Sequence, residues 1–128
     1  MKNKHELETL AKYLEEYEKH KTDEYIFDIS VWRATRACGT AACAIGHLPL
    51  ACPDTGISFR QGTYDSVVPE YGGVFDFAAV EAYFELSESD VLWAFDVSDY
   101  FDVFDIPSSE VTPTMVASRI RVLLSNKT

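Results

Sequence analysis

The sequence predicts a mainly α-helical single domain, with about five helices and a small two-stranded β ribbon. Three observations predict it. Apolar residues recur at helical spacing through the N-terminal twenty residues, two short central segments open on matched cap residues, and a C-terminal segment opens on Thr-Pro with one apolar face. At 128 residues, rich in Phe and Tyr, the chain can bury a core without disulfides or metals.

Residues 3 to 21 read as an amphipathic helix: Leu7, Leu10, Ala11, Leu14 and Tyr17 share a face, and Glu8, Lys12, Glu15, Glu16 and Lys19 cover the other. Thr22 and Asp23 end it. "EYIFDISVW" follows, β-branched and aromatic, and reads as a short strand. Gly39 then breaks the chain, Thr40 is placed to cap, and Ala41 to His47 reads as a two-turn helix that Pro49 terminates. "ACPDTG" is a turn by composition, and "ISFRQGTY" is a second strand suited to pair with the first.

"PEYGG" is a further break. Asp76 reads as an N-cap with Phe75 and Val80 as its staple, opening a helix to about Phe84. In "LSESDV" Ser87 caps, Asp90 takes the reciprocal position and Leu86 staples to Val91, so a helix covers Glu88 to Phe95. Thr112 and Pro113 open the last helix, whose buried face is Met115, Val116, Ile120, Leu123 and Leu124. Arg119 and Arg121 lie towards its cation-favouring end.

The charge of −10 is unevenly spread. From Gln61 to Ser118 the chain has no Lys or Arg and carries Asp65, Glu70, Asp76, Glu81, Glu85, Glu88, Asp90, Asp96, Asp99, Asp102, Asp105 and Glu110. Such a stretch repels nucleic acid and anionic membranes and attracts basic proteins. Within it, "FDVSDYFDVFD" repeats Asp at every third residue, at 96, 99, 102 and 105, between aromatic and β-branched residues. On a helix this makes an acidic stripe beside an aromatic face, able to imitate nucleic-acid phosphates to a basic groove. The competing reading is a solvated face above a core. The run has no glycine and no D-x-D-x-D-G loop, so it is not an EF-hand. "AAVEAYFELSESDVLWAF" has a helix-turn-helix outline, but its second helix carries acids and no base to meet phosphates.

Chemistry is densest in "RACGTAACAIGH". Cys38, Cys43, His47 and Cys52 form C-x4-C-x3-H-x4-C, four zinc-competent ligands. Cys43 and His47 share a helical face if that stretch is helical, whereas the spacing lacks the paired C-x2-C of common zinc sites. A thiol enzyme is the other chemical reading: Cys38 near a helix start, with Arg33 and Arg36 beside it, or Cys43 with His47 as nucleophile and base. Nothing supplies an orienting third group. The preferred reading is packing, in which Ala41, Ala42, Cys43, Ala44 and Gly46 let neighbours approach closely, with no cofactor. Reduced thiols are the expectation for three cysteines with no export signal.

"FDISVW", "CGTAACAIGH", "AAVEAYFELSESDVLWAF" and "VTPTMVASRIRVLL" together resemble a group of small proteins from bacteria and their phages that share a C-G-T-x-x-C-x-x-G core, here Cys38, Gly39, Thr40, Cys43 and Gly46. Tryptophan is common there at the position of His47. The resemblance brings no established activity and no site residues. It implies a context in which small acidic proteins act as inhibitors of host defence or DNA-handling complexes, anti-CRISPR proteins among them.

The expectation is therefore a non-enzymatic, cytoplasmic interaction protein that binds a basic protein, contacts neither nucleic acid nor membrane directly, and uses Asp96, Asp99, Asp102 and Asp105 with Tyr100 and Phe101 as anchors. The alternative is a zinc or thiol protein built on Cys38, Cys43, His47 and Cys52.

Overall fold

A computed structural model describes residues 1–21, 25–29, 32–36, 39–61, 66–104 and 110–126; at 25, 33–36, 39–41, 66 and 101–104 it describes the backbone alone. Helix predominates, as expected. Among the described residues there are seven α-helices and one six-stranded mixed sheet, so the β component is much larger than a two-stranded ribbon.

The N-terminal stripe forms α1 (Lys4–Glu15), with Leu7, Leu10, Ala11 and Leu14 fully buried, and the chain turns at Glu16 into the short α2 (Tyr17–His20). The first residues also close another helix. Lys2 N–H donates to the Phe84 carbonyl and Asn3 Nδ2 to the Tyr83 carbonyl, both at 2.8 Å, satisfying acceptors at the end of α4 (Asp76–Phe84).

The first strand is β1 (Tyr25–Phe27), shorter than the segment that predicts it. β2 (Arg33–Arg36) and β3 (Gly39–Ala42) follow, and here the structure corrects the expectation. Gly39 to Ala42 is not the start of a helix capped by Thr40. It is a strand between two others, parallel to β1 and antiparallel to β2. A seven-residue helix bears its nucleation cost alone, whereas this backbone finds hydrogen-bond partners on both sides. Helical geometry begins only with a 3₁₀ turn at Ile45–His47 and continues into α3 (Leu48–Ala51), where Pro49 lies in the first turn instead of ending the helix.

β4 (Ser58–Gln61) is the second predicted strand, and its partner is β5 (Ser66–Tyr71), not β1. The sheet order β1-β3-β2-β5-β4 places the two strands expected to pair at opposite edges. "PEYGG" is accordingly narrower as a break than expected, because Pro69, Glu70 and Tyr71 belong to β5. β5 pairs with β4 along one edge, and with β2 and then β6 (Val74–Phe75) along the other. Pro69 falls at the gap between β2 and β6, where a missing amide costs no ladder bond on that edge. The turn itself is Gly72–Gly73, at φ 59° and 85°, the left-handed geometry that a two-residue hairpin needs.

β6 runs directly into α4. Phe75 takes the cap position and Asp76, predicted as the cap, is the first helical residue at φ 59°, with no side-chain capping bond. α5 (Glu88–Phe95) matches its prediction: Ser87 Oγ accepts from Asp90 N–H at 3.2 Å. α6 (Val97–Phe104) follows after Asp96. α7 (Pro113–Asn126) is opened by Thr112, whose Oγ1 accepts from Met115 N–H at 3.3 Å. α7 packs along α1, and one buried cluster joins both to α4, α5, Tyr100 and Ile45.

Candidate functional site

α4 and α5 turn apolar residues inwards, joined by Tyr100 of α6. Val80, Phe84, Val91, Ala94 and Phe95 are buried. Asp76, Glu85 and Glu88 are exposed, while Glu81, Asp90, Asp96 and Asp99 are half-buried. Asp96 has a local duty as well: its Oδ1 accepts from Ser98 N–H at 3.2 Å, which caps the start of α6. Asp99 lies one turn on. Asp102 and Phe101 are in α6 by backbone, with side chains outside the described set, and Asp105 lies outside the described residues.

The cations of the described residues are mostly committed elsewhere. Lys4 pairs with Glu8 at 4.0 Å, Lys21 with Glu18 at 2.7 Å, and Arg121 binds Glu15 through two bonds of 2.8 and 3.0 Å. That last geometry holds the Glu15 carboxyl below its ordinary range, chiefly through the hydrogen bond from Arg121. Among the described ion pairs only Lys2, 4.0 Å from Glu85, reaches the α4–α6 carboxylates. The exposed side of these three helices is therefore acidic, and the helices contribute no base of their own.

Two residues change role. Tyr100, expected as a surface anchor, is 1% exposed; its hydroxyl donates to the Ala94 carbonyl at 2.8 Å, and burial pushes its phenol well above the ordinary value. It is a core residue because the α5–α6 turn folds its ring inwards. Arg119, read from the sequence only as lying towards the cation-favouring end of α7, is 8% exposed. Its guanidinium lies 3.8 Å over the Tyr100 ring and 4.9 Å over Trp93, and Nη1 donates to the Trp93 carbonyl at 2.5 Å. One sequence signal pointed to this: Arg119 shares the helical stripe of Val116, Ile120 and Leu123.

The cysteine–histidine segment is packed tightly. Cys43 is 4% exposed, its thiol donates towards the Trp32 carbonyl at 3.8 Å, and burial pushes that thiol up to about 11. The ring of His47 is fully buried among Tyr13, Tyr17 and Phe27, at centroid distances of 6.0, 5.6 and 5.9 Å. His47 Nδ1–H donates to the backbone carbonyl of Cys43 at 2.8 Å, so the imidazole addresses the main chain and not the thiol. Desolvation lowers the His47 pKa, with that carbonyl bond opposing. Cys52 is half-buried and directs Sγ at the Glu6 carbonyl, 3.8 Å away on α1; burial and then the Glu6 charge raise its thiol.

Cys43 and Cys52 therefore point at carbonyls of different elements, and Cys38 lies outside the described residues. Among the described residues no three His, Cys, Asp or Glu side chains gather around a metal-sized point. Nor is any described helix long and apolar enough to cross a membrane. No family model, no curated protein and no solved structure matches the chain.

Proposed function

We propose that the chain is an interaction protein whose α4–α6 face engages a basic protein surface of the kind that otherwise grips nucleic acid, so that it acts as an inhibitor by occupation. The observation that carries this reading is the acidic side of three consecutive helices that contain no Lys or Arg. A cluster of carboxylates on one side steers a basic partner over several ångströms and competes with nucleic acid for that partner's basic surface. Asp96, Asp99, Asp102 and Asp105 carry the charge in this reading. Phe101 is the remaining anchor, since Tyr100 is committed to the core.

The test is capture of partners from cell extract by the immobilised protein, followed by elution with duplex DNA. The reading expects a basic, nucleic-acid-binding partner that DNA displaces, that is lost above physiological salt, and that the double variant D99K/D102K no longer retains. A variant that keeps its helical spectrum and still holds the same partner overturns it.

A further inference from the structure

We draw no further inference here: the strongest candidate, the groove of about 530 Å³ between α1, α2, the edge strand β1 and the start of α7, is an apolar face walled by exposed Ile26, and nothing in the structure shows what covers it.

Discussion

The guanidinium of Arg119 lies over the ring of Tyr100, its central carbon 3.8 Å from the centroid, and so fastens α7 to the α5–α6 turn from inside the protein. The same group satisfies the Trp93 carbonyl near the end of α5. A buried cation is costly unless it is bonded and stacked, and this one is both. Arg119→Ala removes the stack, leaves a cavity and takes the donor from the Trp93 carbonyl; the expected loss is about 2–4 kcal/mol. Arg119→Lys keeps the charge without the planar stack and should fall between the two. Urea unfolding at constant m-value reads both, and an alanine variant within about 0.5 kcal/mol of the parent refutes the role.

His47 makes stability fall with acid. Its folded pKa is lowered, so the fold favours the neutral ring. The stability this contributes is complete above the unfolded value of 6.5 and is lost as pH falls from there through the folded value. Among the groups facing the ring are the phenols of Tyr13 and Tyr17, the Phe27 ring and the Cys43 carbonyl, and none of these is an anion that would welcome an imidazolium. His47→Phe should lose about 1 kcal/mol at pH 7.5 with the carbonyl bond, and flatten the decline in melting temperature between pH 6.5 and 5. An unchanged slope in that window would show that another group titrates.

Cys43 should be chemically silent in the native state. A thiol raised to about 11 and 4% exposed offers almost no thiolate at pH 8. Brief alkylation with iodoacetamide followed by peptide mass spectrometry should leave Cys43 unmodified until urea is added, with Cys52 labelled slowly. Rapid native labelling of Cys43 would contradict the packing described here and restore a thiol function.

Gly46 is held by contact. A Cβ there would overlap the Trp32 carbonyl oxygen and stand 2.7 Å from the Ala42 Cβ, so a backbone segment would have to move. Gly46→Ala should cost about 3 kcal/mol or more, enough to reduce soluble yield. A variant that melts within two or three degrees of the parent would show that the 3₁₀ turn yields easily.

The parts of the fold that were legible in the sequence are those whose cause is local. Ser87 with Asp90, Thr112 with Pro113 and the Leu7–Leu14 stripe each announce a helix through residues within one or two turns of one another. β2 and β3 announced nothing. Arg-Ala-Thr-Arg and Gly-Thr-Ala-Ala have little β-branched or aromatic character, and they are strands because they pair with each other and β1 and β5 complete their hydrogen bonds on the outer sides. The candidate site divides in the same way. The carboxylates of α4 to α6 were readable one by one, whereas the inward turn of Tyr100 was not.

The sequence by itself determined the capped helices, the acidic stretch and its freedom from internal bases, because these depend on neighbours in the chain and on composition. Only the tertiary structure decided that "GTAA" is a strand, that His47 is buried, and that Cys43 and Cys52 face different carbonyls. Those outcomes turn on which distant backbone and which aromatic rings arrive beside each residue, and no local spacing encodes that.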